Sequence, residues 1–154
     1  MARMASKDLL GHEEVVSLKG SIRSKLIGSW ELVSYIAYSE KSASNFVHPM
    51  GEDATGILMY TPDGYMSGQL QSSGKTTSPS TLPYGLGLDE TGRYYTGYTG
   101  RFYLDESGAE PILYHNMSIS NILNWLGETQ RRFIELKDDQ LILRTGWTIE
   151  LEVS

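Results

Sequence analysis

Apolar and polar residues alternate most cleanly near the end of the chain. Trp147, Ile149, Leu151 and Val153 fall on one side of an extended backbone, and Thr148, Glu150 and Glu152 fall on the other. Successive side chains of a strand point to opposite faces, so this run predicts a strand with one buried and one wet face. Similar runs predict strands at 30–38, 56–61, 65–71, 93–104, 112–119, 129–136, 140–145 and 147–153. The second and third of these flank Thr61-Pro62-Asp63-Gly64, where Pro suits the second turn position and Gly the last. Residues 5–26 instead carry partial helical spacing at Leu9, Leu10, Val15, Val16, Leu18, Ile22 and Leu26, broken by Gly11 and Gly20. They predict a helical arm, in one or two pieces, ahead of the strands. The expected organisation is an N-terminal arm over 1–25 and one β domain over 26–154. Eight short sequential strands with no long helix between them predict an all-β antiparallel meander closed into a barrel. A barrel of eight strands either fills its interior with side chains or holds one small ligand. Residues 72–92 are rich in Ser, Thr, Gly and Pro and predict a long loop, as a lid or as a surface insertion.

Composition changes this picture in two places. The chain has 154 residues and no cysteine, so disulfides and thiolate metal sites are excluded. It also holds 10 Tyr against 3 Phe and 3 Trp, with 6 Met and 16 Gly. Tyrosine combines apolar area with a polar tip, and methionine adapts to irregular shapes. Strands so composed suit the wall of a hollow, although tyrosine is also common on strand surfaces. Tyrosines expected on the outside suit a homodimer. The net charge of -6, with basic residues scattered apart from Arg131-Arg132, argues against a nucleic-acid partner. No apolar run reaches membrane-spanning length and none resembles a signal peptide, so the expectation is a cytoplasmic protein with no membrane partner.

Several stretches carry a family resemblance. Gly28-Ser29-Trp30 opens the first strand and resembles the Gly-x-Trp signature of lipocalins. The segments 26-LIGSWELVSY-35, 51-GEDATGILMYTPDGYMSGQL-70, 98-YTGRFYL-104, 114-YHNM-117 and 130-QRRFIEL-136 resemble the small lipocalin-like domain proteins of bacteria and of fungal secondary-metabolite gene clusters. The likeness covers roughly residues 26–145. It implies an eight-stranded lipocalin-like (calycin) barrel with an apolar cavity open at one end. It implies either a carrier of small lipophilic ligands or a cofactor-free enzyme acting on reactive polyketide or terpenoid intermediates. Shared fold alone does not choose between them.

His115 is the leading candidate for chemistry. Alternation places Leu113, His115, Met117 and Ile119 on one face, so a single imidazole stands in an apolar row. Such a histidine is a natural general acid or base, and it is equally a structural residue bonded to a neighbouring strand. The resemblance also places a histidine here. Tyr60, Tyr98 and Arg101 are candidates for stabilising developing charge. Tyr94, Tyr98 and Phe102 share one face of their strand, with Arg101 and Tyr103 on the other, and the pattern leaves open which face looks inward. Trp30, Met59, Met66, Gln69, Tyr94, Phe102, Tyr103, Met117 and Trp125 are candidate ligand contacts, with Gln69 and Met66 again on opposite faces. The resemblance implies that Trp30 packs at the closed barrel end under an arginine, for which Arg144 is favoured over Arg131 and Arg132. His12, His48 and His115 lack metal-ligand spacing, and no nucleotide-binding or Gly-x-Ser-x-Gly motif occurs. The expectation is no metal and no cofactor. Together with these candidates, the resemblance implies a cofactor-independent isomerase, cyclase or dehydratase (a lyase) of secondary metabolism, or else a non-catalytic carrier of a small hydrophobic metabolite. A barrel with a filled interior, acting through its surface, is the third reading.

Overall fold

The computed structural model describes residues 21–39, 42–73, 94–145 and 149–154, with side chains at most of these positions. One short helix, α1 (Ile22–Leu26), precedes ten strands: β1 (Gly28–Ser39), β2 (Ser42–Val47), β3 (Thr55–Tyr60), β4 (Tyr65–Gln71), β5 (Tyr95–Asp105), β6 (Ile112–Asn116), β7 (Ile119–Ser120), β8 (Thr129–Lys137), β9 (Gln140–Arg144) and β10 (Ile149–Val153). The sheet runs β10-β9-β8-β6-β5-β4-β3-β1, and β10 pairs again with β1. That pairing closes an antiparallel barrel of eight strands, with β2 and β7 as extra partners of β1 and β5. Closure leaves no open edge among these eight.

Alternation decides what each strand buries. Leu58 and Tyr60 on β3, Met66 and Leu70 on β4, Thr96, Tyr98 and Phe102 on β5, Leu113 and His115 on β6, and Leu141 and Leu143 on β9 all face inward and are buried. Leu151 and Val153 continue this core on β10 as the sequence predicts, while residues 146–148 lie outside the described ones. On β1 the parity changes. Trp30 is buried in the first half and Tyr35 and Ala37 in the second, because the register shifts between Leu32 and Ser34. One extra residue there keeps the apolar set inside on both sides of the bend.

Glycine makes room where strands crowd. A Cβ on Gly100 would come within 1.6 Å of the Asn116 carbonyl oxygen. Only glycine lets the chain leaving β6 cross so close to β5. The predicted strand at 112–119 accordingly breaks there. Ser118 N donates to the Thr99 carbonyl, and the alternation fails after Met117. Met117 is fully buried, whereas Ile119, expected on the same face, is 66% exposed.

The 61–64 turn forms as its sequence predicts, with Gly64 at φ 94° and Gly64 N donating to the Thr61 carbonyl. Of the predicted arm, residues 1–20 lie outside the described ones, as do residues 74–93 of the long loop. What is described of the arm, α1, buries Leu26 and packs Ile22 against the core. Its Arg23 donates to the Pro62 carbonyl at 3.1 Å, which pins α1 to the β3–β4 turn at one end of the barrel. Strand β2 has no counterpart among the predicted strands. Its Ser-rich sequence alternates poorly, and its Phe46 is exposed.

Candidate functional site inside the barrel

The strand registers assemble the interior. Phe102 lies opposite His115, and His115 opposite Gln130. Tyr60 lies opposite Met66, and Met66 opposite Gly100. Tyr60 on β3 and His115 on β6 therefore project from strands with two others between them around the wall and meet inside. The Tyr60 hydroxyl and His115 Nε2 are 2.8 Å apart. His115 is 1% exposed, and its other ring nitrogen, Nδ1, has no hydrogen-bond partner. A buried polar atom without a partner is costly and calls for an explanation.

Aromatic rings frame this pair. Phe102 meets Tyr60 edge to face at 5.1 Å, and Tyr98 lies tilted across the imidazole at 6.4 Å. Trp125, on a short 3-10 helix over Leu123–Trp125, meets Tyr98 edge to face at 5.7 Å. Tyr98 occupies the space of a missing Cβ, since one on Gly68 would lie 2.4 Å from its ring.

Arg132 joins this pole from β8. It lies opposite the buried Leu113 and two residues from inward-facing Ile134, so it stands on the inner face. Its guanidinium donates to Gln130 Oε1 and to the Arg131 carbonyl. Burial and then the Arg132 charge hold the His115 pKa well below the usual 6.5. Burial is also the main force raising the pKa of Tyr60 and of Tyr98. At neutral pH the pole thus holds a neutral imidazole, neutral phenols and one cation.

The predicted site residues divide between the two faces. His115, Tyr60, Tyr98, Met66, Phe102 and Met117 are buried in the interior, with Trp125 partly buried beside Tyr98. Arg101, Tyr103, Met59 and Gln69 stand on the outer face, because the alternation that turns Tyr98 and Phe102 inward turns their neighbours out. Arg101 donates to the Tyr65 hydroxyl at 3.1 Å and lies over that ring. Tyr94 precedes β5 and is also exposed.

Trp30 is buried, and its indole N–H donates to the Leu26 carbonyl at 2.9 Å, tying β1 to α1. Arg144 does not cover it. Arg144 lies on the outer face, bonded to Glu150 at 3.1 Å and to Glu135. The residue that sequence reasoning missed is Arg132, which it weighed only as a partner for Trp30. The signal was present in 129-TQRRFIEL-136, where Gln130, Arg132, Ile134 and Leu136 share a parity with two apolar members.

The crystal structure of the fluorescent protein UnaG is 12% identical, with 86% of this chain and 97% of that one covered, at a TM-score of 0.35. A point mutant of UnaG gives 13% identity, 86% and 96% coverage, and a TM-score of 0.32. No curated protein matches the chain. A family model, the lipocalin-like domain, matches residues 27–152. With most of its length under that model, the chain belongs to the lipocalin-like domain family.

Proposed function

We propose that this protein is a cofactor-independent enzyme. It binds a small lipophilic intermediate of polyketide or terpenoid type inside the barrel and catalyses an isomerisation, cyclisation or dehydration. The family supports small-molecule binding. The observation that carries the catalytic step is the buried imidazole, engaged by Tyr60 at Nε2 and bare at Nδ1. A carrier needs an apolar lining and gains little from an imidazole held by a second side chain. An acid–base catalyst needs that pairing, because it fixes the ring and leaves one nitrogen for the substrate.

The chemistry follows from the neutral imidazole. With the Nε2 proton donated to the Tyr60 oxygen, Nδ1 carries a lone pair and takes a proton from an acidic substrate carbon. The imidazolium so formed is an ion pair with the enolate left behind, which offsets the burial that otherwise disfavours it. Return of that proton to a different carbon gives an isomer. Expulsion of a hydroxide, protonated from Nδ1, gives a dehydrated product and water. The surrounding aromatic rings hold one conformer of the substrate and exclude bulk water.

The test uses purified protein incubated with a lipophilic extract of the source organism and followed by liquid chromatography–mass spectrometry, with boiled protein and His115→Gln alongside. The expected result is catalytic conversion of one compound to an isomer or dehydrated product, slowed at least about 100-fold in the variant. A compound retained by the protein and released unchanged would establish a carrier. Equal turnover by His115→Gln would remove the proton transfer and leave only shape and positioning.

A further inference from the structure

Arg132 is unlike every other charged side chain that the structure describes. Arg23, Lys25, Arg101, Arg131 and Lys137 are exposed, and Arg144 is paired on the outer face. Arg132 alone among the described cations on strands stands on the inner face, beside the fully buried Leu113 and near Ile134, while Arg23 of α1 lies over the Phe102 ring from outside the strands. Each described Asp and Glu lies in a turn or loop or on the outer face of its strand, so no described carboxylate faces it. Gln130 Oε1 and the Arg131 carbonyl accept from two of its nitrogens, out of five N–H donors that a guanidinium carries. Arg132 is half-buried, and a guanidinium drawn partly out of water without a counter-ion is costlier to leave unpaired than one on the surface. The same pole holds the hydroxyls of Tyr35, Tyr60 and Tyr98 and the bare Nδ1 of His115, a set that supplies no negative charge.

We infer that Arg132 is an anion-binding residue, and that the ligand of this barrel is an organic acid that brings the missing negative charge as a carboxylate. Guanidinium and carboxylate pair through two parallel hydrogen bonds, which fixes orientation as well as adding affinity. The remaining body of the ligand lies against the apolar inner wall. Burial lowers the Arg132 pKa while Tyr98, Tyr35 and Tyr60 act in the opposite direction, so the tyrosines surround the charge without neutralising it. The inference rests on the small-molecule reading above and is independent of proton transfer by His115.

A matched pair of fluorescent probes tests it: 11-(dansylamino)undecanoic acid and its methyl ester, titrated at pH 7.5 into the wild type, Arg132→Met, Arg132→Lys and His115→Gln. Wild type binds the acid at least about tenfold more tightly than the ester. Arg132→Met loses that preference through weaker acid binding, with ester affinity within about twofold of wild type, which also shows that the fold is intact. Arg132→Lys retains part of the preference, and His115→Gln still favours the acid over the ester. In the ligand-free state Arg132→Met melts about 2–4 °C higher than wild type, since an unpaired charge has been removed. Equal binding of acid and ester by wild type, or an acid preference that survives Arg132→Met, overturns the subsite and leaves the small-molecule reading standing. A lowered melting temperature for Arg132→Met makes Arg132 a structural strut and overturns it too. Binding of neither probe overturns the small-molecule reading and this inference together.

Discussion

Two arginines, one on each face of the same wall, differ in how completely they are satisfied. Arg144 on β9 faces outward between Glu135 and Glu150, and both carboxylates bond it. Arg132 on β8 faces inward and has an amide oxygen and a backbone carbonyl but no described acid. Phe133, beside Arg132 in sequence, lies opposite Arg144, so a single step in parity separates the two environments. On the outside, where water would have screened an unpaired charge at little cost, the charge is matched. On the inside, where an unpaired charge is expensive, it is not. That inversion is what a binding site requires, because a group already satisfied by the protein has nothing to offer a ligand. The same contrast holds for the histidines. His48 near the surface has Glu52 at 4.0 Å and the Phe46 ring beside it, whereas His115 in the core keeps one nitrogen bare.

The largest effect that separates the faces concerns packing. Leu113→Ala, at a fully buried position beside Arg132, is expected to cost about 2–5 kcal/mol in urea unfolding. Tyr103→Ala, on the outer face of the neighbouring strand and 55% exposed, is expected to change stability by less than about 0.5 kcal/mol. Comparable costs for the two would mean that the inner face is not the packed one.

A glycine pair makes a finer comparison. A Cβ on Gly68 meets the buried Tyr98 ring at 2.4 Å, and one on Gly97 meets the Tyr95 hydroxyl at 2.7 Å. Tyr95 is exposed and can swing away, whereas Tyr98 is held by Trp125 and the imidazole. Gly68→Ala should therefore cost about 1–3 kcal/mol and disturb Tyr98, with Gly97→Ala costing clearly less.

Next in size is the response to pH. The folded pKa of His115 lies below the unfolded value of 6.5, so the unfolded chain takes up a proton first as pH falls. Stability present above about 6.5 is then lost on acidification, by at most about 1.4 kcal/mol per pH unit for this one group. His115→Gln should flatten the slope of stability between pH 6.5 and 5. The outer carboxylate behaves differently. Hydrogen bonds from Lys137 and then Arg144 lower the Glu135 pKa from 4.5, so its contribution survives until pH falls below that value. A wild-type slope unchanged by His115→Gln would mean that the imidazole is already hydrated.

The smallest effect belongs to the outer ion pairs. Arg144 has 40% of its side-chain surface exposed, and Arg144→Met is expected to cost about 1 kcal/mol or less, declining further at high salt. A larger loss would show that this cluster secures the β8–β9–β10 seam.

Much of the fold is legible in the sequence, because alternation with a period of two is a direct imprint of a wall with two different sides. The strand over Ile149–Val153 and the 61–64 hairpin needed no tertiary information. The ends of that logic are equally physical. The bulge between Leu32 and Ser34 changes parity within β1, and the close crossing at Gly100 ends the alternation at Met117; neither follows from residue type alone. For the site, the sequence places His115 on an apolar row, but which face of β5 looks inward depends on closure of the barrel. Closure is what brings Tyr60 to His115 across 55 positions of chain. Arg132 escaped notice because an arginine on a strand is ordinarily read as a solvated charge, and only its parity with Ile134 reveals otherwise.

The most direct measurement of the central claim is long-range proton–nitrogen NMR of the His115 imidazole ring. The account predicts a His115 ring that stays neutral as pH falls through 6.5, with its Nε2 resonance marked by the Tyr60 hydrogen bond and its Nδ1 resonance shifting when the dansyl acid is added. A His115 that titrates near 6.5 and ignores the acid would contradict it.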